Sequence, residues 1–322
     1  MPQSPPGDVG GWFRTALDDA PAPSPRRGWA PAGPDLYGLE SPDDDLAAAL
    51  ARLRGRRVLV VTGAGMSTGS GLPDYRGRDA RPRSPMTFQE FTGQDLSRRR
   101  YWARSTVGWP MFLRAWPGPA HHALTELERR LNLTGVVTQN VDRLHQAAGS
   151  RTVVDLHGRL DHVVCLGCRT VSSRRVLQTR LLALNPDMVV PSPSPDGPRG
   201  VVGHQAPDGD ADVEEWARFR YPDCSRCGGL LKPDVVFFGE NAHRPTVEAA
   251  FALYERADAV LVLGSSLTVM SGLRFARKAV RDEKPVVIAG DGPTRGDDLA
   301  THRIHGRLEH ILPRWIAMLD ES

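Results

Sequence analysis

Four cysteines constrain this chain most. Cys165 and Cys168 form one Cys-x-x-Cys pair, Cys224 and Cys227 form another, and the sequence has no other cysteine. Each pair can present two sulfurs from one turn, and two such pairs complete the tetrahedral thiolate set of a structural Zn2+ ion. The 55 residues between the pairs, 169–223, exceed ordinary zinc-ribbon spacing, so a subdomain must loop out between the two turns. Disulfides and a redox dithiol are the rival readings, although a redox dithiol needs only one pair at a helix start. With all four positions filled by protein, a metal here has no open place for a catalytic water and would hold the fold.

Around the cysteines, strand and helix patterns alternate. Residues 57–61 are a β-branched run that empties into Gly63-Ala64-Gly65. Runs at 136–138, 152–156, 235–237, 259–263 and 285–289 have the length and apolarity of buried parallel strands, which makes six. Helical spacing is expected from Pro42 and Asp43 through Leu53, closed by Gly55, and at 120–131, 141–148, 245–257 and 271–281. The fold class is therefore α/β: a doubly wound, parallel, six-stranded Rossmann-like sheet with an inserted small zinc-binding domain.

The predicted organisation gives a sheet domain over 41–157 and 233–322, with an excursion at 76–118, and a small domain over 158–232 with little strand periodicity. Residues 1–40 are rich in Pro, Gly and Ala and read as a disordered arm, and 188–200 as a mobile segment. The 41 basic and 38 acidic residues are nearly balanced, which excludes nucleic acid as an implied partner. No apolar run approaches the roughly 20 residues a bilayer crossing needs. Early Asp8, Asp18 and Asp19 argue against a mitochondrial presequence, so a cytoplasmic protein is expected, with the mitochondrial matrix as the alternative for a eukaryotic source.

The loop from Gly63 to Gly71 packs four glycines and three hydroxyls directly after a strand, a way of bringing backbone N–H groups onto a pyrophosphate. A plain strand-to-helix turn is the alternative. Pro73 and Gly77 deny the continuous helix that hydride-transfer enzymes use here, which predicts a dinucleotide held in another conformation.

Gly63-Ala64-Gly65-Met66-Ser67 through Pro73-Asp74-Tyr75-Arg76 resembles the cofactor loop of the sirtuins. Four further blocks agree in order: Thr138-Gln139-Asn140-Val141-Asp142 with Leu144-His145; Leu156-His157-Gly158; Lys232-Pro233-Asp234-Val235-Val236-Phe237-Phe238-Gly239-Glu240; and Gly264-Ser265-Ser266-Leu267. With the cysteine pairs interleaved, the resemblance spans 45–315. It implies an NAD-dependent protein lysine deacylase that acts on acyl-lysine proteins or peptides, transfers the acyl group to ADP-ribose and releases nicotinamide. A mono-ADP-ribosyltransferase using the same site is the principal alternative. A non-catalytic NAD-sensing module and a small-molecule oxidoreductase are the others.

The same resemblance implies site residues. Asn140 and Asp142 would lie beside nicotinamide and its ribose, where an amide and a carboxylate can stabilise developing positive charge. Gln139 would hold that ribose. Gly63, Ala64, Gly65, Thr68, Asp74, Tyr75, Arg76, Gly264, Ser265, Ser266, Gly290, Asp291 and Leu308 would complete the NAD site. His157 is expected to be the general base, since it follows a predicted strand at the end where open α/β sheets bind ligands. His121, His122, His145 and His162 compete for that role, and the first two are expected at the surface of a helix start.

Val236, Phe237, Phe238 and Gly239, with the 264–269 segment ending at Val269, are expected to grip an extended peptide as an added strand. Adjacent strand residues face opposite ways, so one of Phe237 and Phe238 should be core. Tyr101 and Arg104 resemble the Tyr-x-x-Arg pair with which acid-selective sirtuins read an acyl carboxylate, and a solvated helix face is the plain alternative. Together with Gly292-Pro293-Thr294-Arg295 and the long spacing between cysteine pairs, they resemble the class II branch that includes the mitochondrial lipoamidase-type sirtuin. Gly290 stands where many sirtuins place an Asn against the adenosine ribose, so that grip is expected to be looser or to rely on Asp291. Met66 replaces the usual Ile. The preference for Arg over Lys, which occurs only at 232, 278 and 284, fits a G+C-rich bacterial genome. A monomer is expected.

Overall fold

The computed structural model describes residues 36–74, 85–187 and 216–321. Tyr75, Arg76, most of the expected arm and the 188–200 segment lie outside the described residues.

Helix α1 (Asp43–Ala51) begins behind Pro42, with Asp43, Asp44 and Asp45 in the first turn, where the helix dipole favours carboxylates. Strand β1 (Arg57–Thr62) follows, then α2 (Phe88–Gly93), α3 (Asp95–Arg114), α4 (Pro119–Arg130), β2 (Asn132–Thr138), α5 (Leu144–Ala147) and β3 (Val153–Asp155). Next come β4 (Gly158–Cys165), β5 (Val171–Ser173), α6 (Arg174–Leu184) and β6 (Leu231–Val235). The chain then runs through α7 (Arg244–Glu255), β7 (Ala259–Leu263), α8 (Met270–Arg281), β8 (Val286–Gly290), β9 (His302–His305) and α9 (Leu308–Asp320).

The main sheet has strand order β3-β2-β1-β7-β8-β9, and every neighbouring pair is parallel. Alternation along the buried central strands splits its two faces. Val58, Val60, Leu261 and Leu263 pack with Leu46, Leu124 and Trp315 on one side. Leu59, Val61, Val260 and Val262 pack with Leu253, Phe275 and Ala276 on the other. Such burial on both faces requires continuous aliphatic runs, which these strands have.

Two expectations are corrected by the topology. Residues 235–237 do not supply a strand of the parallel sheet: β6 ends at Val235 and pairs antiparallel with β4 in a second sheet of order β5-β4-β6. Pro233 has no N–H to give a ladder, and β6 lies at an edge, where a proline is tolerated. The sixth parallel strand is β9, a His-Arg-Ile-His edge in which only Ile304 is buried. The segment 158–232 thus has more strand than its sequence suggests. The helix expected at 141–148 shortens to α5, after Arg143 adopts a left-handed φ of 69°.

A third apolar cluster joins α2 and α3 to the small sheet and α6. Phe91, Tyr101, Trp102 and Trp109 meet Leu160, Val163, Leu177 and Leu181 there. Among the described residues, no helix is long and apolar enough to cross a membrane.

Candidate active site

The strand order reverses at β1, which lies between β2 and β7, so the chain leaves the C-terminal ends of these strands in opposite directions and opens a crevice there. The loop after β1 makes two short 3-10 turns, Ala64–Met66 and Thr68–Ser70, in place of a continuous helix. It lies directly on the loop after β7. Gly65 N donates to Gly264 O at 2.8 Å, and Gly63 N donates to Leu263 O at 3.1 Å. A Cβ on Gly63 would stand 2.8 Å from the Ser265 Cα, and one on Gly65 would stand 2.9 Å from the Gly264 carbonyl. Gly264 itself has a φ of 59°. Only glycines let these backbones touch, and the result is a backbone-lined cradle of the kind a pyrophosphate needs.

Polar side chains converge beside that cradle in two linked sets. In the first, Asn140 Nδ2 donates to Ser67 Oγ at 3.0 Å, and Ser67 Oγ donates to Asp142 Oδ2 at 2.7 Å. Asp142 Oδ1 accepts from Leu144 N at 2.9 Å. Burial pushes the Asp142 carboxyl upward, against these hydrogen bonds. In the second set, His157 Nδ1 lies 3.0 Å from the Gln139 carbonyl and Nε2 lies 2.7 Å from Ser271 Oγ. Ser265 Oγ donates to Gln139 Oε1 at 2.6 Å. A carbonyl can only accept, so Nδ1 carries the proton of the neutral ring and Nε2 keeps the lone pair. Burial lowers the His157 pKa to about 4, which leaves a neutral imidazole with an unprotonated Nε2 at physiological pH.

The expected NAD-site residues do not all come together. Gly63, Ala64, Gly65, Gln139, Asn140, Asp142, His157, Gly264 and Ser265 meet at this edge. Thr68 is exposed on the loop, its hydroxyl on the Gly65 carbonyl at 3.1 Å. Ser266 Oγ is paired with Thr268 Oγ1 at 3.1 Å, and Asp74 ends the described part of the loop. Gly290 closes β8 beside Gly264 with a φ of 155°, and Asp291 Oδ1 accepts from Gly38 N at 2.7 Å. The Leu308 side chain is buried in the core at the start of α9, so only its backbone is available to a ligand. Ser67 and Ser271 are central to the geometry and were given no role from sequence. Ser67 was visible inside the glycine loop, whereas nothing in the spacing singled out Ser271.

The rival histidines separate cleanly. His122 is exposed, as expected. His121 is not at the surface: it is fully buried, its ring centroid 5.0 Å from that of His145, because it faces inward from the first turn of α4. His145 Nε2 is hydrogen-bonded to Thr62 Oγ1 at 2.8 Å. His162 lies 3.9 Å from Asp234 in the small sheet.

On the peptide side, Phe237 packs edgewise or tilted on Phe91 and Tyr101, both at 5.2 Å, while Phe238 and Val269 are exposed. One phenylalanine is thus core and the other exposed, as expected, although β6 ends before them at Val235. Part of the Val236–Gly239 backbone is already engaged: Val236 N donates to His157 O, and Phe88 N donates to Phe238 O. Tyr101 is buried in the aromatic cluster, and Arg104 is partly buried on the same helix.

The four cysteine sulfurs lie within 4.8 Å of one another. Cys165 and Cys227 are separated by 3.5 Å and Cys168 and Cys224 by 3.8 Å. Four thiolates about 2.3 Å from one ion stand about 3.8 Å apart, whereas a disulfide needs about 2.0 Å. The donor set fits a zinc ion.

Fold and site together define a dinucleotide-type α/β protein with a four-cysteine module. The Sir2 family signature matches residues 63–271. The chain is 50% identical over 273 residues to NAD-dependent protein deacetylase 1 of Mycobacterium avium (strain 104), covering 85% of this chain and 93% of that one. It is 52% identical over 256 residues to the NAD-dependent protein deacetylase of Xanthomonas axonopodis pv. citri (strain 306), covering 78% and 84%. It superposes on a solved complex described as Sir2-p53 peptide-NAD+ with a TM-score of 0.67 and 29% identity, covering 86% of this chain and 99% of that one. The chain belongs to the Sir2, or sirtuin, family.

Proposed function

We propose that this protein is an NAD-dependent protein lysine deacylase. The observation that carries the reading is His157 at the C-terminal edge of the sheet, neutral, with Nδ1 tied to a carbonyl and Nε2 basic, beside the Ser67–Asn140–Asp142 set. NAD supplies a nicotinamide leaving group whose departure exposes the ribose carbon to the acyl oxygen of the substrate lysine. Asn140 and Asp142 stabilise the charge that develops on that sugar, and Gln139 orients it. His157 takes a proton from a ribose hydroxyl at Nε2. The peptide lies between the Val236–Gly239 and 264–269 segments, and Tyr75 and Arg76 would bind NAD.

The zinc ion is structural and belongs to a module over 158–232, set into a nucleotide domain over 41–157 and 233–322. Tyr101, Arg104 and the long insertion between cysteine pairs support a class II, lipoamidase-type sirtuin that favours acyl groups ending in a carboxylate, which a guanidinium binds in bidentate fashion. The bacterial relatives support a cytoplasmic location, and a monomer is the assembly state proposed with it.

The test is nicotinamide release across acetyl-, succinyl-, glutaryl-, lipoyl- and long-chain acyl-lysine peptides, with His157→Ala as control. Deacylation of at least one class, lost in His157→Ala, is expected, and silence on every peptide would favour protein ADP-ribosylation. Arg104→Met should narrow the preference for succinyl- over acetyl-lysine, and an unchanged ratio removes Arg104 from acyl selection.

A further inference from the structure

One hydroxyl at the site is not accounted for by the motifs. Ser271, in the first turn of α8, places Oγ 2.7 Å from His157 Nε2 and 3.4 Å from Gln139 Nε2. The direction of each bond follows from the chemistry of its atoms. The Gln139 amide nitrogen can only donate, so it donates to Ser271 Oγ. His157 Nε2 holds a lone pair because Nδ1 carries the proton, so the Ser271 hydroxyl donates to it. Ser265 Oγ donates to Gln139 Oε1 at 2.6 Å, and His157 Nδ1 donates to the Gln139 carbonyl at 3.0 Å. The bonds form a one-way chain from Ser265 through the Gln139 side chain, Ser271 and His157 to the Gln139 backbone. Each donor polarises the next, and no group in the chain can reverse without breaking a neighbour.

This chain fixes the imidazole at both nitrogens. With the Nδ1 bond alone, the ring could still swing about that contact. The second bond, to Ser271, sets its plane and keeps Nε2 an acceptor. Close packing reinforces it, since a Cβ on Gly272, the next residue, would stand 2.7 Å from Gln139 Oε1, so this turn of α8 is pressed onto the Gln139 side chain.

We propose that Ser271 is a positioning residue for His157: its hydroxyl holds Nε2 in the acceptor role while no sugar is bound, and yields that place to the ribose hydroxyl. The inference rests on the reading of His157 as the base. In the step it prepares, the ribose O–H bond breaks, an N–H bond forms at Nε2, the electron pair stays on the sugar oxygen, and the other ring proton stays on Nδ1, hydrogen-bonded to the Gln139 carbonyl.

The test uses the full chain labelled with 15N-histidine and free of NAD, with the His157 ring nitrogens assigned through His157→Gln. The wild type and Ser271→Thr, which keeps the hydroxyl, should show a protonated Nδ1 and a hydrogen-bonded, unprotonated Nε2. In Ser271→Ala the Nε2 signal should move to the position of a free lone pair. With acyl-lysine peptide and NAD, Ser271→Ala should lower kcat for acyl-ADP-ribose formation about ten- to hundredfold through loss of orientation. It should leave KM and the exchange of labelled nicotinamide into NAD unchanged, and Ser271→Thr should recover most of the rate. Ring-nitrogen signals unchanged in Ser271→Ala would overturn the inference, as would loss of exchange together with acyl transfer. If the signals shift as expected but His157→Ala still transfers acyl groups, the role of Ser271 in holding the ring stands and the reading of His157 as base falls.

Discussion

Burial holds the imidazoles of His121, His145 and His157 uncharged. The His121 pKa is lowered to about 4, that of His145 to about 3 and that of His157 to about 4. Each is neutral in the fold, while the same residue in the unfolded chain takes up a proton near pH 6.5. Between about pH 6.5 and 4 the unfolded state therefore binds more protons, so stability is complete above that window and falls as pH drops through it. The urea midpoint should decline between pH 7 and pH 5, and His121→Gln should reduce the decline. A midpoint that stays level would mean that these rings are solvated. His157 was legible in sequence because it follows a strand in a recognisable block, and Asn140 and Asp142 were legible for the same reason. Ser271 was not legible, since its role depends on α8 returning to the end of β2 across 131 intervening residues, 140–270. The burial of His121 is not legible, because a helix start in sequence reads as surface, whereas its first turn faces His145.

The central strands could be read directly, because burial on both faces demands uninterrupted aliphatic runs and β1, β7 and β8 have them. β9 carries three polar residues, and β6 carries a proline, so the apolar pattern pointed to the wrong sixth strand. Helix α6 raises a different point. Its Arg174 is fully buried, with the guanidinium 5.6 Å from the Trp102 ring centre and 5.1 Å from that of Trp109. It donates to the Ser105 carbonyl and hydroxyl at 3.2 and 3.3 Å, and no carboxylate pairs with it among the described residues. Two indole faces and one turn of α3 hold this cation, which makes it the joint between the small sheet and the aromatic cluster. Arg174→Ala leaves a cavity there and should cost about 2–4 kcal/mol, measured by denaturant unfolding. Arg174→Met fills the space without a charge and should recover much of the loss, since a buried ion is seldom worth more than a well-packed apolar side chain. Equal loss in both variants would show that the charge itself is required.

For the whole molecule, the two sheets divide the labour: the parallel one presents the polar edge, and the small one carries four thiolates that one ion can draw together. The protein should bind one zinc ion per chain, and its removal by a chelator should release the α3–α6 joint. Trp102 and Trp109 report on that joint, so their fluorescence should shift toward that of exposed indole, whereas the parallel sheet should keep its far-ultraviolet dichroism. Fluorescence unchanged on full metal loss would show that packing alone holds the module.

The central claim is that the sugar of NAD, and not its nicotinamide ring, is the reacting part. Mass spectrometry of a reaction containing the protein, NAD and an acyl-lysine peptide tests this most directly. The account predicts free nicotinamide, deacylated peptide and acyl-ADP-ribose in equal amounts, with no absorbance of reduced NAD. Reduced NAD, or ADP-ribose attached to protein without acyl-ADP-ribose, would contradict it.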